Sequence, residues 1–233
     1  MKTSIPWLRV FVEGAVIVGS ILLAFGIDAW WEGRQEDERI VQSLIALHGE
    51  FQAVLEHIDG DYARRNQRTE AYRWILEAIS EGRTVDDDSL ATRIGLMTGM
   101  ARFVAPHAVY DDLVASGDLR RLEPDLRAAL LAYAEQVDRL DWAETRQNSA
   151  YFEGVYPYLL ESADWLAMGP NIVWEDITFE PTHASGLDEL LADRQFQNLL
   201  VSRLRDLAFS QRSTEELREI VDEVLTLLEN HFD

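Results

Sequence analysis

Cysteine is absent from this 233-residue chain, and lysine occurs once, at Lys2, so that every other basic residue is an arginine. The lack of cysteine excludes disulfides, cysteine-ligated iron–sulfur clusters, covalent c-type haem and thiol catalysis, and it leaves the redox compartment undecided. A glycine-rich phosphate loop and a nucleophile-elbow pattern are also missing. These absences leave few routes to enzymatic chemistry.

The charge of the chain is strongly one-sided, with 21 basic against 42 acidic residues and a formal net charge of -21. Residues 1–35 hold three side chains of each sign, so the whole excess lies after residue 35. Nucleic acids and anionic lipid surfaces bind proteins through clusters of lysine and arginine. We therefore expect no nucleic-acid partner.

An apolar stretch near the N-terminus, residues 10–31, predicts one transmembrane helix after a short tail of residues 1–9. Trp7 stands before this helix, and Trp30 and Trp31 stand at its end, where the aromatic belts of a membrane-spanning helix are found. From Trp7 to Trp30 a helix covers roughly 34 Å, close to the hydrocarbon thickness plus part of the head groups. The length favours a retained span over a cleaved signal peptide.

Two carboxylates, Glu13 and Asp28, lie inside this stretch. A carboxylate in hydrocarbon costs a few kcal/mol unless it is paired, so each is a functional candidate. Glu13 follows Arg9 by one turn and is predicted to pair with it, whereas Asp28 lies beside the tryptophan pair and within reach of water. The alternative, a proton relay, needs ionisable partners that one helix does not supply.

A stripe of Ala15, Gly19, Leu22 and Gly26 follows one face of the same helix. Small residues let membrane helices approach closely, because lipid supplies no hydrophobic drive between them. The stripe predicts packing against another membrane helix, either of a different subunit or of a second copy in a homodimer.

The basic residues around the span indicate its direction. Lys2 and Arg9 lie on the N-terminal side, whereas Arg34 and Arg39 on the other side are diluted by acidic residues. The positive-inside rule therefore favours an N-terminus in the cytoplasm and a C-terminal domain outside it.

After the span, apolar residues repeat at intervals of three and four and predict helices along the remaining chain. Residues 35–82 form a long juxtamembrane helix in this interpretation, or two nearly collinear helices that meet at Gly60 or at the polar run 64–68. Residues 83–233 supply the remainder of the soluble domain. The predicted fold class is all-α, with one N-terminal transmembrane helix followed by an elongated, acidic helical bundle.

Several helix ends are predicted from local signals. Asp88 or Ser89 is expected to cap a helix. Gly117 ends a short helix, because glycine suits the left-handed position after a helix end, and Pro124 opens the next long helix. That helix is expected to continue to Pro157.

The last part of the chain contains one irregular stretch and one ambiguous signal. Residues 167–186 are predicted to be an ordered loop, because they hold prolines and strand-like content without an evident partner strand. Ser213 with Glu216 has the spacing of a capping box, which predicts a fresh helix and a kink near Gln211.

Potential metal ligands are present but are not arranged as in known sites. The five histidines are scattered, with no pair at the helical spacing of a metal site. The densest group of ligand types is Glu56, His57, Asp59 and Asp61, which a solvated acidic face also explains. Glu180 and His183 match half of a di-iron motif, but Pro181 lies between them and no second copy exists. We expect no catalytic residue, cofactor or metal.

Two stretches of the chain match recurrent patterns of a known family. They are ILLAFGIDAWWEGRQEDER at residues 21–39, and YDDLVASGDL at residues 110–119 followed by LRAALLAY. Both resemble a family of uncharacterised bacterial single-span membrane proteins, in which the span ends in Ile-Asp/Asn-x-Trp and enters a charged helix. The resemblance implies a helical protein anchored in a bacterial membrane. With the orientation that the basic residues favour, the predicted location is the inner membrane, with the C-terminal domain in the periplasm. It implies no activity.

Three classes of function stay open at this point. The first is a non-catalytic, membrane-anchored accessory or scaffold subunit that docks onto a larger membrane protein complex. The second is a self-associating, sensor-like module, and the third is a membrane-tethered enzyme of unknown reaction. The missing catalytic patterns favour the first class. Its expected partners are the lipid bilayer and other membrane-protein subunits, contacted through the span and the acidic domain.

Overall fold

The computed structural model describes residues 7–100, 102–163 and 187–232. Helices account for about 90% of it, and no residue in these ranges lies in a β-strand. The predicted all-α class is therefore confirmed. The loop predicted for residues 167–186 lies outside the described residues.

Within these ranges the chain forms seven α-helices, with a 3₁₀ turn before the fourth and a π-helical segment after it. Their bounds are α1 Trp7–Glu81, α2 Asp87–Met97, α3 Ala108–Ser116, the 3₁₀ turn Asp118–Arg121, α4 Pro124–Ala150, the π-helical segment Tyr151–Val155, α5 Tyr156–Ser162, α6 Leu187–Ala192 and α7 Arg194–Phe232.

Helix α1 is the longest element, with 75 residues and a length of roughly 112 Å at 1.5 Å per residue. The predicted apolar span and the predicted helix of residues 35–82 are thus parts of one helix. A break at Gly60 or at residues 64–68 does not occur. The reason is that Asp61 and Arg65 lie one turn apart on the face towards the bundle, where both are buried and paired with each other. Polar residues therefore continue the buried face of α1 instead of interrupting it.

The helical bundle is built mainly from α1, α4 and α7. Helices α1 and α4 run parallel, because Phe51 contacts Tyr133 and, further along both helices, Arg65 contacts Glu144. Helix α7 runs in the opposite direction and ends with Phe232 near the start of the bundle on α1. Helices α1 and α7 thus extend along the whole bundle, and α4 packs beside them along part of it.

Two hydrophobic cores lie one after the other along these helices. The proximal core, on the side of the apolar part of α1, contains Phe51, Tyr133 and Val221 and is formed chiefly by α1, α4 and the second half of α7. The distal core contains Tyr72 and Phe196 and joins α1, α2, α5, α6 and the first half of α7. Buried polar side chains separate the two cores.

The helix ends agree in part with the predictions. Helix α3 ends at Gly117 with φ at 79°, and α4 begins at Pro124, so both signals are confirmed. Asp86 caps α2 by accepting a hydrogen bond from the Ser89 N–H at 2.8 Å, and the prediction of Asp88 or Ser89 is wrong. Three successive aspartates stand at the start of this helix. The first is the cap, and the other two lie in the first turn.

Two helices extend beyond their predicted ends. The chain after α4 stays helical past Pro157, through the π-helical segment and α5. Helix α7 continues without a break from Arg194 to Phe232, so the prediction of a fresh helix beginning at Ser213 is wrong. The backbone oxygen of Ser213 and the Glu216 carboxylate both accept hydrogen bonds from Gln136 of α4, at 2.9 and 3.1 Å. The Glu216 carboxylate, which a capping box would direct at the Ser213 N–H, is thus bound by another helix.

Gly117 and Gly49 allow the backbone requirement at the end of α3 to be tested. A Gly117→Ala variant is expected to lose about 1–2 kcal/mol of unfolding free energy, because an L-residue at this positive φ is strained. Gly49→Ala is the matched control and is expected to gain about 0.5–1 kcal/mol, since Gly49 lies in α1 with nothing within 4 Å of an added Cβ. Denaturant unfolding followed by circular dichroism measures both changes. Shifts of the same sign would contradict the assignment.

Candidate functional site

The predicted anchor residues lie on a part of α1 that packs against nothing in the described structure. Within Ala15–Glu81 this helix holds an 18-residue window that is apolar enough to cross a membrane, and none of that window is buried. Leu22, Trp30 and Trp31 are 65%, 62% and 56% exposed. Contiguous exposed apolar surface of this kind is typical of membrane and protein contact sites.

The small residues of the anchor are accessible to a neighbouring helix. A Cβ added at Gly19 or Gly26 would meet nothing within 4 Å. Ala15 and Leu22 share this face at intervals of three and four residues and are likewise exposed. The structure brings the four stripe residues together on one side of α1, and the packing they predict stays a prediction.

The remaining anchor residues are placed as follows. The rings of Trp30 and Trp31 lie 6.4 Å apart between centroids, at the end of the apolar stretch. Asp28 is exposed beside them, and Glu13 is exposed near the other end. Trp7 is the first residue of α1, and its side chain lies outside the described part.

A second polar feature, which we call the ionic layer, separates the two hydrophobic cores. It consists of Asp61, Arg65, Glu144, Gln147 and Arg203, all of them buried. Arg65 is fully buried and donates from Nε to Asp61 at 2.5 Å and from Nη2 to Glu144. A buried arginine between two carboxylates costs desolvation and is held by its geometry, so the layer ties α1 to α4 at one position.

Glu144 also connects this layer to the segment before α3. Its second carboxylate oxygen accepts a hydrogen bond from the Phe103 backbone N–H at 2.6 Å. Burial raises the pKa of Glu144, although the Phe103 N–H and the Arg65 charge act in the opposite direction. Burial also raises the pKa of Tyr72, which lies next to the layer, against the opposing charge of Arg203.

Arg203 brings α7 into the layer. Its Nη1 donates to the Gln147 backbone oxygen at 2.9 Å, and its guanidinium lies 5.4 Å from the ring centre of Tyr151. Gln147 is one turn before the π-helical segment, and its backbone oxygen also accepts from the Tyr151 N–H. A side chain that donates into a helix in this way is a recognised cause of local irregularity. The layer therefore fixes the relative positions of α1, α4 and α7.

The ionic layer was missed by sequence reasoning. Asp61 was assigned to a solvated acidic face, and Arg65 to a polar run. The available signal was spacing, because Ile58, Asp61, Arg65 and Tyr72 continue the intervals of three, four and seven residues that mark the buried face of α1. Asp61 and Arg65 are also four residues apart, the distance at which opposite charges meet on a helix.

The group of potential metal ligands around His57 is dispersed by the fold. His57 Nδ1 lies 3.0 Å from the Ala53 backbone oxygen, and Asp59 pairs with Arg218 of α7 at 3.0 Å. Asp61 faces Arg65 in the interior. Among the described residues, no group of three or more histidine, aspartate or glutamate side chains is arranged to hold a metal ion.

An open groove lies between α4 and α7 on the outside of the bundle. This α4–α7 groove has a volume of about 590 Å³ and is lined by residues that include Trp142, Arg146, Val201, Arg205, Asp206 and Phe209. Trp142, Phe209 and Val201 are 58%, 50% and 47% exposed. The groove combines aromatic and apolar surface with two arginines on a domain that is otherwise strongly acidic.

Comparison with known proteins adds no assignment, since no protein-family model, curated sequence or solved structure matches this chain. The resemblance of residues 21–39 and 110–133 to a family of bacterial single-span membrane proteins stays a prediction.

Proposed function

We propose that this protein is a non-catalytic, membrane-anchored accessory subunit that docks onto a larger membrane protein complex. The observation that carries the proposal is α1, in which an uncovered apolar stretch and the central helix of a folded bundle form one continuous element. Such a helix holds a folded domain at a fixed distance from the membrane. The chain's N-terminus lies in the cytoplasm and its bundle lies in the periplasm of a bacterial cell.

The contacts of the bundle support a structural role over a catalytic one. The charged groups of the ionic layer are buried between two hydrophobic cores and are paired with one another or with the backbone. Its charges are used to connect three helices, which gives a rigid domain instead of a reactive centre. The acidic bundle surface provides the complementary field for a basic partner surface.

The assembly is tested by purifying the full chain in a mild detergent and identifying the proteins that accompany it by mass spectrometry. A stoichiometric membrane partner supports the accessory role, and its recovery is expected to fall as salt rises from about 0.05 to 1 M, because screening shortens electrostatic attraction. A homodimer without other proteins would instead support the self-associating module. A C-terminal alkaline phosphatase fusion that is inactive in cells would contradict the proposed topology.

The anchor stripe is tested by Gly26→Ile. Added bulk blocks close approach of a second helix while it favours the lipid phase, so recovery of the partner is expected to fall about tenfold, or about 1.4 kcal/mol, with membrane insertion unchanged. Ala24→Ile is the matched control, because Ala24 lies about 160° round the helix from Gly26 at 100° per residue. Equal recovery of both variants would show that the stripe faces lipid.

A further inference from the structure

We propose that the α4–α7 groove is the seat for one helix of the partner subunit, a helix that carries a bulky apolar side chain and a carboxylate one turn apart. This inference rests on the proposed accessory role and names the surface and the chemistry by which docking occurs. The features of the groove that would bind the helix are its exposed aromatic end and the arginines beside that end.

The groove has an apolar end and a basic end, separated by one helical turn. Trp142 and Arg146 are four residues apart on α4, and Phe209 and Arg205 are four residues apart on the antiparallel α7. The two aromatic side chains therefore lie at one level and the two arginines at the next. A helix laid between α4 and α7 meets both levels with side chains at positions i and i+4.

The charges of the groove select the sign of the incoming group. Arg146 lies 3.7 Å from Asp206, so one of the two arginines already has a carboxylate nearby. Arg205 is exposed and makes no ion pair with any residue that the structure describes. The guanidinium of Arg146 also lies 5.7 Å from the Trp142 ring centre, which orients it towards the groove surface. The groove therefore carries one net positive charge, that of Arg205, with which a carboxylate of the incoming helix can pair.

A second copy of this chain does not satisfy these requirements. In a two-fold dimer through this surface, the groove of one copy would face the groove of the other, and neither copy would place a helix between α4 and α7 of the other. The groove also lies level with Arg65, because Arg65 contacts Glu144 in the neighbouring part of α4. Arg65 is roughly 50 Å along α1 from Trp31 at 1.5 Å per residue. The partner therefore has a domain that extends at least this far from the membrane.

Aromatic and arginine side chains are the residue types that contribute most to protein interfaces, and a cleft between two helices receives a third helix by ordinary side-chain packing. The surrounding acidic surface attracts the partner as a whole, whereas the groove recognises an acidic group. This local reversal of sign favours the groove as the position of the docked helix, since the chain as a whole carries 42 acidic against 21 basic residues.

Two fluorescent synthetic peptides of about 15 residues, each with one apolar face, serve as probes. One carries leucine and glutamate at i and i+4, and the other has lysine in place of the glutamate. Their binding to the full-length protein in detergent is measured by anisotropy. The glutamate peptide is expected to bind about tenfold more tightly. This preference is a stringent criterion, because the net charge of -21 alone would favour the lysine peptide.

Variants locate the binding. Arg205→Gln is expected to abolish the preference for glutamate, and Trp142→Ala to weaken the glutamate peptide about tenfold. The matched controls on α4 are Arg139→Gln, whose side chain pairs with Glu135 at 2.7 Å, and Leu131→Ala, whose side chain is 52% exposed. Both controls are expected to bind as the wild type does. Equal affinity for the two peptides, or unchanged affinity in the groove variants, would overturn the proposal.

The groove variants also separate this proposal from the accessory role itself. If the wild-type chain co-purifies with a stoichiometric partner and Trp142→Ala or Arg205→Gln does so equally well, the groove is not the docking surface although the accessory role stands. If the wild-type chain co-purifies with no partner, the accessory role fails, whatever the peptides do.

Discussion

Replacement of Arg65 by methionine is expected to lower the unfolding free energy of the protein by about 3–5 kcal/mol, a large fraction of the total stability of a domain. The variant leaves the carboxylates of Asp61 and Glu144 buried without their shared cation. Guanidinium unfolding of the detergent-solubilised protein, followed by circular dichroism, measures the change. A loss below about 1 kcal/mol would show that the buried pairs are not formed in solution.

The control for this prediction removes the three charges that meet at Arg65. In a triple variant with Asp61→Leu, Arg65→Met and Glu144→Gln, no carboxylate of this group is left buried without its cation, Arg203 keeps its bond to the Gln147 backbone oxygen, and most of the stability is expected to return. Glutamine is chosen at position 144 because its oxygen still accepts the hydrogen bond of the Phe103 N–H, which would otherwise be buried without an acceptor. The triple variant therefore isolates the penalty of unpaired charge from the loss of the backbone contact.

The defect of the single variant has a defined pH dependence. Burial already raises the pKa of Glu144, and the Arg65 charge opposes this effect, so its removal raises the pKa further. A carboxyl whose pKa is higher in the folded state binds its proton more tightly there, and its contribution to stability falls as pH rises above the ordinary value of 4.5. The loss caused by Arg65→Met is therefore expected to be smaller in acid than at neutral pH.

Phe51→Ala is expected to cost about 3–5 kcal/mol, because it opens a cavity at the centre of the proximal core. The Phe51 side chain is fully buried, and its ring centre lies 4.8 Å from that of Tyr133 on α4. Leu131→Ala, on the exposed side of α4, is the control for removal of an apolar side chain that is not in the core, and it is expected to stay within about 0.5 kcal/mol of the wild type. Chemical unfolding measures both variants, and similar losses would contradict the described core.

The two cores are expected to respond to this change as one unit. Helices α1 and α7 contribute to both cores, and α4 of the proximal core passes directly into the π-helical segment and α5 of the distal core, so neither core keeps its walls when the other unfolds. The unfolding transition of Phe51→Ala should therefore coincide when it is followed at probes in the proximal and in the distal core. Two separated transitions would show that the ionic layer divides the bundle into independent units.

Much of the fold could be predicted because its signals are local. The left-handed position at Gly117 and the first-turn position at Pro124 depend on the conformational limits of single residues, and both occur where expected. The all-α class follows from intervals of three and four between apolar residues, a pattern that does not depend on which helices pack together.

Signals that have a tertiary competitor could not be resolved in the same way. Ser213 and Glu216 fit a capping box in sequence, but the Glu216 carboxylate accepts a hydrogen bond from Gln136, which lies on another helix 80 residues earlier in the chain. Arg65 gives the same lesson, since only the approach of Glu144 on α4 turns a polar run into a buried contact. Burial of a charged residue is decided by a partner that sequence spacing alone does not identify.

The groove was likewise outside the reach of sequence reasoning. Trp142 and Phe209 lie far apart in the chain and become one surface because α4 and α7 pack antiparallel. Exposed aromatic residues are not distinguished from core aromatic residues by their intervals alone. Their exposure in the folded bundle is what marks them as candidates for an interface.

The continuity of α1 also sets the angular orientation of the whole protein. Each residue of a helix turns the chain by about 100° and advances it by about 1.5 Å. The number of residues between Gly26 and Arg65 therefore fixes the angle, about the axis of α1, between the bundle and the face that carries Gly26. A one-residue insertion between Trp31 and Ile40 would rotate the groove by about 100° around the axis of α1 and move it outward by only about 1.5 Å. In the proposed complex, the α4–α7 groove would then no longer face a partner held in the same membrane. The number of residues between the predicted span and the bundle therefore sets both the rotation of the bundle about the helix axis and its distance from the span.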